Sequence, residues 1–536
     1  MSSASPVHTP AALKFKLSLM MFLQFVIWGA WFEIGFSFIP ALKFEQPWMN
    51  ALVFGAFNIG AIVALFFSTQ FADRNFAAEK FLSFSHLIGG LAIGGLFFLL
   101  TTVGLNQGEL SSVRIDGRGP TATSGVGALS DKTRVVVDNI TTDKKADEFW
   151  TTFDKDLKTY QEAHQADAKQ TKVSDPRFVQ TFIVTSAKPG EIVGDAKTPL
   201  APFWPFLILM LVHSLFYVPT ISITNSIAFA SMKEPEKEFG PIRVWGTIGW
   251  IVAAWPFIFI LLDWSKVPAL GNVGFTDWIG TALGSPLSGA ALIKGQSYVF
   301  IVAGIASLLL AAFSLSLPNT PPKPASGVDK FAWFKAMKYL AKPFLLVLFL
   351  VTFIDAAVHQ SFFFWTPDFL IDRVKIPANW ATPVMKIGQI AEIITMLFLG
   401  YVLKSLGWRT TMIIGVLGHA ARFAVFAYMP DDKYAIIIIN VLHGICYAFF
   451  FATVYIFVDK FFPKDIRSSA QGLFNVLIVG VGPFVANFIC TELKTMYTVN
   501  KVLDYSAVFQ YSMGAGLVAA LLLLFFFHPP KDEVKE

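Results

Sequence analysis

The sequence predicts an all-α integral membrane protein: twelve transmembrane helices in two six-helix, pseudo-symmetric halves. Three observations carry this. Hydrophobic residues make up 54% of the 536 positions and charged residues only 15%, where soluble globular chains carry about a quarter charged residues, and mean hydropathy is +0.58. Twelve runs are long enough to span, near 17–42, 49–70, 80–104, 202–230, 239–262, 297–317, 342–370, 379–403, 410–429, 434–459, 467–491 and 506–528; a spanning helix needs about 20 mainly apolar residues. A Pro- and Lys-containing segment, 318–341, divides these runs six and six.

Taken in order, residues 1–104 supply helices 1–3 of the N-terminal half. The first apolar run follows Lys14 and Lys16, is longer than the core of a signal peptide and contains Glu33, so it reads as a retained helix. Residues 105–200 form a polar insertion, expected to be a small α+β domain or partly ordered cap. It has strand-like stretches at 134–140 and 178–185 and a polar helix-like stretch at 144–170. Residues 201–317 hold helices 4–6, 318–341 form the central loop, and 342–536 hold helices 7–12 and a short tail. Lys and Arg favour one set of loops, with Lys14, Lys16, Arg74, Lys80, Lys233, Lys237, Lys404, Arg409, Lys460 and Arg467 among them. By the positive-inside rule both termini are cytoplasmic, and 105–200 is extracytoplasmic in a cell membrane of the bacterial inner-membrane kind.

Composition also narrows the function. A formal net charge of +5 over 536 residues gives no argument for nucleic acid. The two cysteines, Cys446 and Cys490, lie in apolar runs and make neither a disulfide framework nor a C-x-x-C metal pattern. No nucleophile–base set, metal cluster or phosphate-binding glycine loop marks an enzyme, and no cofactor is expected. The expected partners are the lipid bilayer and a small solute, with the chain functional as a monomer.

Six plus six helices around a central inner loop is the major facilitator arrangement, in which two similar halves surround a midplane site. Asp73-Arg74 after helix 2, and Gly400 to Lys404 with Gly407 and Arg409 after helix 8, stand at corresponding places. They resemble the charged loop of that superfamily, whose cavity is lined by helices 1, 4, 7 and 10 with 5 and 8 close behind.

Ionisable groups inside a bilayer cost several kcal/mol unless paired or wet. Here they concentrate on those helices: Glu33 on helix 1, His213 on helix 4, Arg243 on helix 5, Asp355 and His359 on helix 7, Glu392 on helix 8 and His443 on helix 10. Arg422 and His419, on helix 9, stand outside the set. Each has a plain structural reading as well. Asp355 and His359, at i and i+4, satisfy each other in that reading, and His213 bonds a backbone carbonyl. Gln389 and Glu392, at i and i+3, become an interhelical hydrogen-bond pair. Arg243 snorkels to the interface.

The most informative stretch is Phe239-Gly240-Pro241-Ile242-Arg243-Val244-Trp245-Gly246-Thr247-Ile248-Gly249-Trp250. Arg243, Thr247 and Trp250 fall at i, i+4 and i+7, one face of a helix, and offer a charge, a hydroxyl and a stacking ring. Gly246 and Gly249 let a neighbouring helix approach closely.

That stretch resembles the nucleoside:proton symporter family of nucleoside permeases. Weaker blocks agree: Leu23-Gln24-Phe25-Val26-Ile27-Trp28-Gly29-Ala30-Trp31, Tyr217-Val218-Pro219-Thr220 continuing to Asn225, and Ile466-Arg467-Ser468-Ser469-Ala470-Gln471-Gly472. The resemblance implies substrate-binding roles for Arg243, Thr247, Trp250, Gln360, Gln389 and Glu392. It fails at Ala448, where the family pattern has the aspartate that carries the proton, and at Phe363, where it has asparagine. Glu33, His443, Asp355 and His359 are the candidate substitutes for proton coupling; histidine titrates near physiological pH. The expected function is nucleoside import by proton symport with alternating access. The alternatives are a symporter for another polar metabolite such as a sugar, or a membrane sensor that uses 105–200.

Overall fold

The computed structural model describes residues 9–67, 76–100, 202–322, 332–463 and 466–529, apart from positions 43, 45, 270, 500 and 501, and four short strands within 101–201. Its membrane helices are α1 (Ala11–Ala41), α2 (Pro47–Phe67), α3 (Ala78–Leu99), α4 (Phe203–Ser231), α5 (Pro235–Val252, extended by Trp255–Ile260), α6 (Gly289–Ser314) and α7 (Pro343–Asp372). The run Ala378–Tyr428 is broken at Gly407, whose φ of 74° and ψ of 174° leave the helical region. Glycine reaches such a φ without a Cβ penalty, so one run supplies two helices, α8 before Gly407 and α9 after it. Then come α10 (Lys433–Phe461), α11 (Ala470–Met496) and α12 (Tyr505–Phe526). Eleven runs among the described residues are long and apolar enough to cross a membrane; the break at Gly407 brings the number to twelve.

The helices overrun the apolar stretches by several residues, α1 and α6 most clearly at their starts, because backbone hydrogen bonding continues past the hydrocarbon boundary. Two carry a π-helical stretch, Tyr447–Ala452 in α10 and Val476–Val481 in α11. Such bulges cluster at functional sites, and Ala448 lies inside the first. The central segment contains a short helix, Ala332–Tyr339.

Within 101–201, β1 (Ser112–Ile115), β2 (Arg134–Asp138), β3 (Gln180–Ile183) and β4 (Ile192–Val193) form an antiparallel sheet in the order β3-β2-β1-β4. The strand-like stretches of the sequence correspond to β2 and β3. The stretch 144–170 and the Asp73-Arg74 loop lie outside the described residues.

Small residues set the packing and reveal the repeat. In the N-terminal half α1 packs on α5, α2 on α4 and α3 on α6; in the C-terminal half α7 packs on α11, α8 on α10 and α9 on α12. Each pair is shifted by six helices from its counterpart. A Cβ on Gly29 would lie 2.7 Å from the Trp250 carbonyl, and one on Gly249 would strike the Phe22 carbonyl. Gly60 meets Ser214 and Gly304 meets Gly94 in the same way, and in the second half Gly482 meets Ala356, and Gly444 meets the Glu392 amide. Bare backbones approach closely because association in lipid relies on van der Waals contact and not on hydrophobic exclusion. We expect Gly249→Ala to force α1 and α5 apart and cost about 1–3 kcal/mol, read as a lower unfolding midpoint in detergent. Gly240→Ala, with nothing among the described residues within 4 Å of the new Cβ, is the control; equal midpoints would refute the contact.

Exposed side chains such as Phe84, Leu91 and Phe98 on α3, and Leu397, Phe398 and Tyr401 on α8, give the outer surface its apolar character, as a lipid-facing wall requires. The halves meet through α1 with α7, α2 with α11, and α5 with α8. Their contacts run from mid-helix toward the end where α1 finishes. Phe36 and Phe54 touch Phe364, and Asn379 and Trp380 donate to the Leu283 carbonyl.

Candidate functional site

The site is built where α5 and α1 face α7, α8 and α10. Arg243, Thr247 and Trp250 are all half-buried on α5. The Arg243 guanidinium lies 4.2 Å from the centre of the Phe25 ring on α1. Its charge is felt by Tyr447 on α10, Glu392 on α8 and Tyr217 on α4. The glycines at 246 and 249 bring α1 against this face, so Arg243 is held over a ring and turned toward the other half. Snorkelling does not describe that position. Trp250 sits edge-on to Trp28, with ring centres 5.0 Å apart, and tilts against Phe32.

From the other half, α8 presents Gln389, buried with its amide oxygen unpartnered among the described residues, and half-buried Glu392. The tight α8–α10 contact at Gly388 and Gly444 fixes their orientation. Neither side chain hydrogen-bonds another helix among the described residues, so the plain reading of an interhelical hydrogen-bond pair does not apply. One turn before Gln389, Lys386 is 2% exposed. Its ammonium lies 2.9 Å from Glu33 on α1 and 4.4 Å from the centre of the Trp250 ring.

Gln360 occupies a different environment. Its amide donates to Asn487 on α11 at 2.9 Å; Asn487 donates to Asn58 on α2, which donates to the Val479 carbonyl. This chain of amides crosses from one half to the other. Gln360 is therefore held in an inter-half hydrogen-bond chain of α7, α11 and α2.

The remaining candidates meet behind that face, inside the C-terminal half. Asp355 is fully buried and lies 3.7 Å from His419 Nε2. Arg422 bonds His419 Nδ1 at 3.0 Å and His443 Nδ1 at 2.9 Å, and its guanidinium lies 3.8 Å from the centre of the Phe362 ring. His359 stacks on His443 with ring centres 5.0 Å apart. The i, i+4 reading of Asp355 with His359 is thus corrected: Asp355 turns to α9 and His359 to α10. Arg422 and His419 belong to the cluster, although the sequence reading left them outside. An arginine at its centre makes this a poor cation cage; among the described residues no group of three or more His, Cys, Asp or Glu is placed to hold a metal ion. His213 Nδ1 bonds the Gly89 carbonyl at 3.0 Å, a structural role.

The family model described as nucleoside H+ symporter matches residues 11–102, 192–275 and 262–532. The chain belongs to the nucleoside H+ symporter family. Within it, the chain is similar to YegT of Escherichia coli (strain K12), a protein named for nucleoside transport, at 31% identity over 63% of this chain and 75% of that one. It is 27% identical to the xanthosine permease of the same organism over 62% and 75%. Among solved structures it resembles the nucleoside transporter NupG, with a TM-score of 0.63 at 20% identity over 97% of this chain and 100% of the other. A D-xylose–proton symporter gives 0.59 at 10% identity. The fold is the twelve-helix major facilitator architecture.

In this member of the nucleoside H+ symporter family, sequence reasoning passed over Lys386, Tyr447, Asn58 and Asn487. The signal for Lys386 was present: a lysine within an apolar run, three residues from Gln389 and on the same helical face. The asparagines gave none, because a neutral amide in a membrane helix attracts notice only when its partner across the bundle is visible.

Proposed function

We propose that this protein imports nucleosides across the cell membrane, driven by the proton gradient, by alternating access of its two halves. The observation that carries this reading is the facing of the α5 stripe (Arg243, Thr247, Trp250) and the α8 pair (Gln389, Glu392) across the line where the halves meet. A guanidinium, a hydroxyl, an amide and a carboxylate suit ribose hydroxyls and base edges, and Trp250 offers a ring for stacking. A site on both halves is closed only when both grip the solute, which is how substrate favours the occluded state. Gln360 supports the α7 edge of the same site. In this reading both termini are cytoplasmic, 105–200 is extracytoplasmic, the monomer suffices, and the proton is the only co-substrate.

Uptake of labelled uridine and adenosine in cells lacking their own permeases tests this. Saturable, acid-stimulated uptake is expected; none, with the protein shown in the membrane, would sink the assignment. Ala448 and Phe363, where the family pattern has aspartate and asparagine, favour a second reading, a symporter for another polar metabolite. A competition panel of purine nucleosides, pyrimidine nucleosides and sugars separates the two.

A further inference from the structure

Glu33 and Lys386 form a buried ion pair between the two halves: Glu33 on α1, 0% exposed, and Lys386 on α8, 2% exposed, at 2.9 Å. Beyond that pair, Glu33 Oε2 and Lys386 Nζ have no hydrogen-bond partner among the described residues. The ammonium lies against the Trp250 ring, so the pair touches the base-stacking wall of the substrate site.

We infer that Glu33 carries the coupled proton and that Lys386, by leaving and returning as the halves move, decides when Glu33 holds it. The inference rests on the proton-symport reading above and names the residues that perform it.

The argument begins with position. Glu33 lies eight residues before the end of α1 (Ala11–Ala41) and Lys386 eight after the start of α8 (Ala378–Tyr428). They bridge the halves on the side where the inter-half contacts gather. When the halves part at that end, the pair must break. A buried carboxylate that loses its counter-ion is strongly destabilised unless it is neutralised. A hydronium ion reaching it from the opened side gives up a proton: its O–H bond breaks, leaving water, and an O–H bond forms on the Glu33 carboxylate while Lys386 remains an ammonium. When the halves close again Lys386 returns, the O–H bond breaks, and the proton leaves to water on the opposite side. The proton is bound in one orientation and released in the other, as symport requires.

The surrounding charges do not supply an alternative partner. The helices packed on α1 bring Arg243 on α5, Asp355 and His359 on α7, and His213 with Tyr217 on α4; α6 carries Lys294 and Tyr298. Among the described residues Glu33's ion-pair partner is Lys386. Lys386 in turn is felt by His443 on α10. The Asp355–His419–Arg422–His443 cluster lies wholly on α7, α9 and α10. Its members move together as one half rocks, so its internal pairing has no reason to change with orientation.

The test uses the full-length protein in proteoliposomes. Nucleoside added to wild type should alkalinise the outer medium, and labelled nucleoside counterflow reports substrate exchange without net proton movement. We expect Glu33→Gln to lose the alkalinisation and pH-driven accumulation, at least tenfold, while counterflow persists; a tenfold change corresponds to about 1.4 kcal/mol. Lys386→Met should also lose accumulation, and the neutral pair Glu33→Gln with Lys386→Met should behave as Glu33→Gln does. Alkalinisation retained in Glu33→Gln overturns the inference and returns the proton to the α7–α9–α10 cluster. If Glu33→Gln does not insert, the neutral pair decides in its place; a neutral pair that also fails to insert makes the ion pair structural and overturns it too. Wild type that exchanges no nucleoside refutes the substrate reading instead.

Discussion

Arg422→Met is expected to leave almost no folded protein in the membrane. Arg422 is fully buried, bonds two histidines and stands in the field of Asp355. Removing one partner of a buried charged set strands the others, and such breaks cost about 3–5 kcal/mol, a large share of the roughly 5–15 kcal/mol that holds a domain together. Among the described residues Asp355 would then keep only the 3.7 Å approach of His419. Arg422→Lys should recover little, because one ammonium cannot repeat the fork that reaches both ring nitrogens. Detergent-solubilised yield and the unfolding midpoint measure this. A midpoint within a degree or two of wild type would mean the cluster is solvated and carries little stability. Adding Asp355→Asn to Arg422→Met should restore part of the loss, since the uncompensated carboxylate is what makes the single change severe.

The second large effect is on binding. We expect Arg243→Ala to weaken nucleoside affinity about a hundredfold, the scale of one or two hydrogen bonds to a charged group. Folding should change little, because Arg243 is only half-buried and its charge is partnered by no ion pair among the described residues. Arg243→Lys should recover part of the loss, since charge survives but the planar donor fork does not. Binding to purified protein by calorimetry separates these outcomes. An unchanged dissociation constant in Arg243→Ala would mean the guanidinium only decorates the α1–α5 contact. The two arginines are thus opposite in kind: one is bonded to partners within its own half, the other is half-buried on α5 against the Phe25 ring.

The glycine spacing, the i, i+4, i+7 stripe and the break after α8 were legible because each is a local property of the chain. Gly246 and Gly249 do admit α1, and Gly407 does end α8. Helical periodicity fixes which side chains share a face, so Arg243, Thr247 and Trp250 had to appear together. The six-helix offset in packing follows from the division at 318–341 and from where the small residues fall.

Pairing across helices was not legible in the same way. Asp355 has His359 one turn away on its own helix, yet turns to His419; Gln360 faces Asn487, 127 positions along the chain. The partner of a buried charge is chosen by which helix face packs against it, and chain distance does not enter. Glu33 shows the difference best. By itself the sequence determined that a glutamate inside a membrane helix must find water or a counter-ion. Only the tertiary structure decided that the counter-ion is Lys386, that it comes from the opposite half, and that any movement of the halves must act on the pair, because a contact between two rigid bodies is made or broken by their motion while a contact within either one is carried along.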